Sequence, residues 1–290
     1  DLPWPWYRML RGSFLRMPGW VLQKTRLSAD WDEIVSRFRK NTRSTDLRRV
    51  RKYRLSYRLT CAQADLEHFH DALFEPYTRR RFGHLINGDT REEIIHFGTR
   101  EGQLLQILDG QTVVGGVVLS ACNGQMHFLW LGQPEGLESG LADAVHSAIY
   151  LFSLQQAHAE GCHEMDFSLT RPLLNNGIYH YKRKWGARLV DDWPQAEFQW
   201  LARRLDAPVT AFFTNHPMVL REAGSLTGSI VCQDPATVAE LRRLVEGCYS
   251  EGLARLRVLL RRGVLDPDWR KALSDLAAVE WDDLSDLDDT

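Results

Sequence analysis

Residues 162–190 read CHEMDFSLTRPLLNNGIYHYKRKWGARLV. His163–Ser168 reads as a strand that ends in Asp-Phe-Ser. The Arg171-Pro172 pair turns the chain, because the residue before a proline is held out of helical geometry. A short helix is expected from about Asn175, and a second strand after Gly186. Polar groups thus gather at the carboxyl end of a strand, which is where open α/β sheets bind ligands.

Working upstream, Leu137 to Glu160 carries Leu141, Ala144, Val145, Ala148, Ile149, Phe152 and Leu154 at helical spacing, and Gly161 stops it. Before it lie three strands at short intervals, Gln103–Leu108, Thr112–Ser120 and Gln125–Leu131. Asn123-Gly124 between the last two is a strong two-residue hairpin turn. These strands form an antiparallel meander. The long helix is a crossover, so Gln125–Leu131 and His163–Ser168 should be neighbouring parallel strands. Earlier still, Trp20–Thr25 is a candidate strand. A helix begins near Ser28, which offers a capping oxygen, and Trp31, Ile34, Val35 and Phe38 give it a core face. Tyr53–Thr60 alternates like a strand, Asp65–Phe74 is an amphipathic helix, Arg79 to Arg81 falls in a loop, and Thr90–Phe97 is a short helix.

Downstream, Gln195–Leu205 reads as helix. Val209–Phe213 and Ser229–Cys232 read as strands and Pro235–Cys248 as helix, while Leu253–Arg262 has no defined type. The expected fold is α/β, a mixed and mostly antiparallel twisted sheet flanked by helices, with an appended C-terminal α/β region. The expected domains are 1–53, 54–206 and 207–290.

The 290 residues are 44% hydrophobic and 26% charged, the balance of an ordinary globular chain. The net charge of −2 hides an asymmetry. Arg37 to Arg58 holds ten Lys or Arg against one acid, Asp46, whereas Asp275 to Thr290 holds seven acids and no base. Such basic density favours a phosphate-rich ligand over a merely solvated face. The five cysteines are scattered without metal-type or redox-type spacing. The longest apolar run, around Val113–Leu119, is too short to span a bilayer. The N-terminal residues lack a charged-then-apolar signal pattern, and the scattered cysteines suit reduced thiols, so a cytoplasmic location is expected. No metal-ligand cluster, Ser-His-Asp constellation or Gly-Lys-Ser/Thr phosphate loop is present, and no bound cofactor is expected.

Several patterns in this order resemble the Fem-type branch of the GNAT N-acyltransferases, which contains the FemABX peptidyl transferases. They are Leu27-Ser-Ala-Asp-Trp31 with the basic run after it, Asp109-Gly-Gln-Thr-Val-Val-Gly-Gly116, and the pair Asp166-Phe-Ser-Leu-Thr170 and Tyr181-Lys-Arg-Lys-Trp-Gly-Ala187. The likeness covers roughly residues 20–195. Ser168 stands where the family often has Gly, and Tyr181 where it often has Phe. One complete GNAT unit is visible, where FemABX proteins carry two.

The resemblance implies acyl transfer from an acyl-CoA or an aminoacyl-tRNA to an amine or hydroxyl. Such a reaction needs a deprotonated acceptor, a stabilised oxyanion and both substrates in register. It implies that the donor lies along Trp130 and Leu131 where the parallel strands part. Lys182 matches the family lysine that holds phosphate or charge developing on the acyl oxygen. Lys184, two positions along, should point elsewhere. Asp166 would position the acceptor amine or order the loop. Tyr181 is a candidate for proton transfer, with His180 second to it, and His127 and His146 are candidates for the cleft. Ser168, Thr170 and Asn176 border the site, while Trp185 and Gly186 are structural. Arg43, Arg48 and Arg49 are candidates for phosphate. The loop that cradles CoA in this fold resembles Arg/Gln-x-x-Gly-x-Gly/Ala. Here it is Gln133-Pro-Glu-Gly136-Leu-Glu138, and the final carboxylate, with Glu135 nearby, would repel a pyrophosphate. Glu138 and the basic run favour aminoacyl-tRNA, and the single unit favours CoA. The competing reading is a catalytically idle module that binds RNA or another anion through residues 37–58.

Overall fold

The computed structural model describes residues 15–83, 89–192, 197–200, 207–232, 237–260, 271 and 279–283. The first elements among the described residues are β1 (Leu15–Pro18) and β2 (Val21–Arg26), then α1 (Trp31–Ser36), a π-helical turn at Thr42–Asp46 and α2 (Leu47–Lys52). Next come β3 (Ser56–Thr60), α3 (Gln63–His68), a second π-helical turn at Phe69–Phe74, α4 (Glu75–Phe82) and α5 (Arg91–Arg100). The central run is β4 (Gln103–Asp109), β5 (Thr112–Cys122), β6 (Gln125–Gly132), α6 (Ser139–Ala159), β7 (Glu164–Thr170), α7 (Gly177–Lys184) and β8 (Arg188–Val190). The last run is β9 (Glu197–Trp200), α8 (Ala207–Asn215), β10 (Met218–Glu222), β11 (Ser225–Cys232), α9 (Val238–Cys248), β12 (Arg255–Leu260) and β13 (Val279–Asp283).

These elements form two compact units. One comprises Lys24–Ser168 and Lys184–Ala187, and the other Asp1–Gln23, Leu169–Arg183 and Arg188–Thr290.

The first unit is built on the strand order β3-β4-β5-β6-β7-β2. β3 through β6 are antiparallel neighbours, and β6 and β7 are parallel. Asn123 and Gly124 both adopt positive φ, 52° and 74°, as the tight hairpin between β5 and β6 requires. α6 is buried over the continuous run Ser147–Leu154, so it is wrapped on all sides rather than on one stripe. Leu66, Phe69, Leu73, Ile95, Leu104 and Val118 form a core layer on this sheet. Gly132 ends β6 where a Cβ would meet the Leu73 carbonyl carbon at 2.5 Å, so only glycine lets the strand approach that turn.

The second unit contains the sheet β10-β11-β12-β13. β10 and β11 are an antiparallel hairpin, whereas β11, β12 and β13 run parallel. α9 is the crossover between β11 and β12, and Leu241, Val245 and Cys248 on it pack with Ile230, Leu256 and Val258.

Several local expectations are corrected. Glu197–Trp200, expected as helix, pairs antiparallel with Leu15–Pro18. The Phe198 and Trp200 alternation suits a strand once a partner exists. Val209–Phe213, expected as strand, lies within α8, and Arg79 to Arg81 continue α4 instead of looping. The basic run, expected as a helix over residues 37–52, is not one helix, since α1 stops at Ser36 and helix resumes only at Lys40. The cap of α1 is Asp30, whose side chain accepts from the Asp32 amide, while Ser28 Oγ donates to Glu33. The segment of undefined type, Leu253–Arg262, supplies β12, and part of the acidic tail supplies β13.

Candidate active site

β6 and β7 are paired only at Gln125↔Glu164, Met126↔Met165 and His127↔Asp166. Both strands run on after His127 and Asp166, β6 to Gly132 and β7 to Thr170. The parallel strands therefore part at their carboxyl ends, as the crossover predicts. On its other edge β6 loses register with β5 between Val117↔Leu131 and Leu119↔Phe128, which puts a bulge at Leu129 and Trp130. A bulge re-aims the side chains at that point. Trp130 Nε1 donates to Asp89 at 2.9 Å, and its ring meets Phe97 edge-on. Leu131 is half-buried next to it.

Asp166 lies at the point of divergence and is 8% exposed. Its Oδ1 accepts from the Ser168 amide at 2.7 Å. Its Oδ2 lies 3.6 Å from His127 Nδ1 and 3.8 Å from Lys24 Nζ. Lys24, itself buried, is also 3.7 Å from Glu164 and donates to Gln125 Oε1 at 3.1 Å. Two buried carboxylates thus share one buried ammonium, with an imidazole at the rim. Pairing of this kind is what makes buried charge tolerable. The cluster can accept a proton through His127 or hold an ammonium against Asp166.

Ser168 adopts φ +64°, a left-handed conformation, although it lies within a strand. Glycine takes that backbone without strain and serine does not. The Asp166 side chain holds the turn by accepting from the Ser168 amide.

Lys182 is 5% exposed. Its Nζ donates to the Leu169 carbonyl at 2.8 Å and to Thr170 Oγ1 at 2.9 Å. Thr170 donates onward to Gln23 Oε1 at 2.9 Å, and Gln23 Nε2 donates to the Tyr179 carbonyl at 3.1 Å. α7, the end of β7 and β2 are thus tied by a closed circuit of buried polar groups. Such networks are strong when every member is satisfied. Asn176 accepts from the Ile178 and Tyr179 amides and so caps α7. Tyr181 is half-buried on the same helix, and His180 meets Tyr179 edge-on.

The three consecutive cations of α7 have three destinations. Lys182 holds the strand end. Arg183 is buried and donates to the carbonyls of Tyr249 and Glu246, capping the carboxyl end of α9. Lys184 Nζ lies 2.9 Å from Oδ2 of Asp46, a buried carboxylate. Trp185 is fully buried between Phe38 and Tyr150, and Gly186 adopts φ +80°. Both are structural, as expected.

The loop before α6 keeps part of the phosphate-cradle pattern. Gly136 adopts φ +77°, and Gln133 is buried with no hydrogen-bond partner for its Oε1 among the described residues. The amides at the helix N-terminus, however, are occupied. Glu138 Oε1 accepts from Gly140 N at 2.9 Å and Oε2 from Leu141 N at 3.0 Å. Tyr53 OH donates to the same carboxylate at 3.1 Å. These amides hold the Glu138 carboxyl below its ordinary pKa, with the Tyr53 hydroxyl adding to the effect.

In the basic run Arg43 and Arg48 are exposed, with no carboxylate within ion-pair distance among the described residues. Arg49 is half-buried and lies 3.3 Å from Asp143 and 3.9 Å from Asp46. His146 is half-buried on α6 against Tyr77 and Tyr150. Burial, with the Arg81 and Lys184 charges, pulls its pKa down to about 3, so it is neutral at pH 7. Sequence reasoning missed Gln23, Lys24 and Glu164. The signal was the run Gln23-Lys24-Thr25 inside a candidate strand, three polar residues that the fold buries on both faces.

A mixed sheet with two neighbouring parallel strands that part company, joined by one long crossover helix, is the α/β arrangement that the acyltransferase resemblance implied. The chain belongs to the acetyltransferase (GNAT) domain family, whose model matches residues 36–183. No curated protein matches it. Similar solved structures include FemX at 13% identity and TM-score 0.48, covering 71% of this chain and 69% of that one. L-PGS from Bacillus licheniformis is 9% identical with TM-score 0.44, covering 72% and 67%. A GCN5-related N-acetyltransferase from Sphaerobacter thermophilus is 11% identical with TM-score 0.36, covering 63% and 52%. Among the described residues no helix is long and apolar enough to cross a membrane.

Proposed function

We propose that this GNAT-family transferase moves an aminoacyl group from a charged tRNA to an amine acceptor, and does so in the cytoplasm. The observation that carries the donor is Glu138. A CoA pyrophosphate would sit on the first-turn amides of α6, and the chain's own carboxylate already accepts from two of them. The second support is the pair Arg43 and Arg48, exposed cations that suit the repeated phosphates of a tRNA. Acyl-CoA is the second reading, favoured by the Gln133 to Gly136 pattern with its positive φ at Gly136.

In the reaction the acceptor nitrogen attacks the ester carbonyl, the new C–N bond forms, and the C–O bond to the tRNA ribose breaks. Asp166 orients the acceptor amine and His127 takes its proton. The bulge at Trp130 and the unpaired stretch of β6 align the acyl group. His127 returns that proton to the ribose oxygen as it leaves, and Lys182 and Tyr181 stay candidates by their signature alone.

The test is transfer or discharge of a mixed pool of labelled aminoacyl-tRNAs, run beside labelled acetyl-CoA. Discharge of aminoacyl-tRNA with no turnover of acetyl-CoA is expected. Binding of tRNA should weaken steeply between roughly 50 and 200 mM salt, and Arg43→Ala with Arg48→Ala should flatten that slope. Glu138→Ala, which frees two amides, should gain CoA affinity. Turnover of acetyl-CoA by the unaltered protein would overturn the donor, and tRNA binding without discharge would favour the idle RNA-binding module.

A further inference from the structure

Within the second unit, a pocket of about 340 Å³ opens beside the turn that follows β7. Its volume is at the lower end of the range of small-molecule sites, about 300–1,000 Å³. Met17, Trp20, Leu173, Phe212 and Met218 form the walls, and Arg171 and His216 border them. The back wall is rigid. Leu173 bridges Met218, the Val219 amide donates to the Pro172 carbonyl at 2.8 Å, and the Leu174 amide donates to the Pro217 carbonyl at 2.7 Å. Met17, Leu173 and Met218 rest on a core of Phe213, Leu220, Val231 and Leu259.

The outer wall is open to water. Trp20 is 45% exposed and Phe212 36% exposed, two of the largest exposed apolar side chains among the described residues. The His216 ring stacks on Phe212 at 4.5 Å, and its Nδ1 lies 2.8 Å from the Phe212 carbonyl, which fixes that wall. A concave apolar surface left in water carries a cost that a bound apolar group removes. Arg171 is exposed at the edge and, among the described residues, has no carboxylate within ion-pair distance. A permanent cation beside an apolar pocket matches a ligand that joins the opposite charge to an apolar body.

We infer that this pocket binds a single-chain amphiphile with one anionic head, the alkyl chain among Met17, Trp20, Phe212 and Met218 and the head on Arg171. The two methionines suit a flexible chain, because unbranched thioether side chains adapt to its shape. The inference does not rest on the identity of the acyl donor.

Calorimetric titration with decanoate, decyltrimethylammonium and butyrate tests it on the full chain. Decanoate should saturate one site, and the cation of equal chain length should bind about tenfold or more weakly, the worth of a charge-assisted hydrogen bond. Butyrate should not bind measurably, because it leaves the walls uncovered. Arg171→Ala should abolish the preference for the anion, and Arg171→Lys should retain part of it. Phe212→Ser should weaken both ten-carbon probes. Arg171 and Phe212 are exposed, so thermal unfolding of the variants should match the parent, which separates lost binding from lost fold. Equal binding of anion and cation, indifference to Arg171→Ala, or no saturable binding of decanoate would each overturn the proposal.

Discussion

Lys184 Nζ lies 2.9 Å from Asp46 Oδ2, and that carboxylate is buried. Ser147 Oγ approaches its other oxygen at 3.4 Å. The contact fastens the last residue of α7 to the π-helical turn of the basic run. Lys184→Ala leaves a buried carboxylate without its main cation. Since Lys184 is partly exposed, the expected loss is about 3 kcal/mol, the low end for breaking a buried pair. Urea unfolding measures it. The double variant with Asp46→Asn should recover part of the loss, and failure to recover any would show that the two side chains are not coupled.

Lys182→Ala should act differently. It removes the donor to Leu169 and Thr170, and turnover should fall on the order of 100-fold or more if the ammonium also answers transition-state charge. Lys182→Arg should rescue only in part, because the guanidinium is wider and presents its donors in a fixed fork. Gln23→Leu cuts the same polar circuit without touching the ammonium, so it serves as the structural control. A Gln23→Leu enzyme as slow as Lys182→Ala would reduce Lys182 to a positioning residue.

Ser168 is exposed, so its substitutions read the backbone rather than packing. Ser168→Gly should keep or slightly raise the melting temperature, since relief of left-handed strain, about 1 kcal/mol, is set against glycine's entropy. Ser168→Val should lower it by more than Ser168→Gly raises it, because a β-branched residue tolerates positive φ poorly. A valine variant of unchanged stability would show that the conformation at Ser168 is not held in solution.

His146 gives the first unit a pH dependence. Its folded pKa is depressed from the ordinary 6.5 to about 3 by burial and by Arg81 and Lys184. Between those values the unfolded chain takes up a proton that the folded chain refuses. The contribution is therefore full above pH 6.5 and is lost as pH falls towards 3, with a slope of up to about 1.4 kcal/mol per pH unit. Unfolding at pH 7 and pH 5 should show a smaller drop for His146→Gln than for the parent. Parallel profiles would place the sensitivity on other groups.

Much of the acyltransferase sheet was legible from local pattern. Alternation marked β4 to β6, Asn123-Gly124 fixed their hairpin, and the helical period from Leu141 onward made the next strand parallel to β6. These features are short-range, since period and turn geometry are set by neighbours in sequence. The left-handed backbone at Ser168 was not legible in this way, since the residue lies within a strand.

What tertiary structure alone decided concerns partners across space. Nothing in Lys182-Arg183-Lys184 says that the three cations meet a strand end, a helix terminus and a buried aspartate, because each destination lies more than a dozen residues away along the chain. Gln23-Lys24-Thr25 puts three polar residues in one buried strand, and the fold supplies Tyr179, Gln125 and Trp185 as hydrogen-bond partners for the three in turn. Burial of a polar group is decided by whether such a partner arrives. Glu197–Trp200 became strand because Leu15–Pro18 came alongside to pair with it. A four-residue segment has too little intrinsic preference to choose for itself, and its backbone takes the conformation that satisfies its hydrogen bonds.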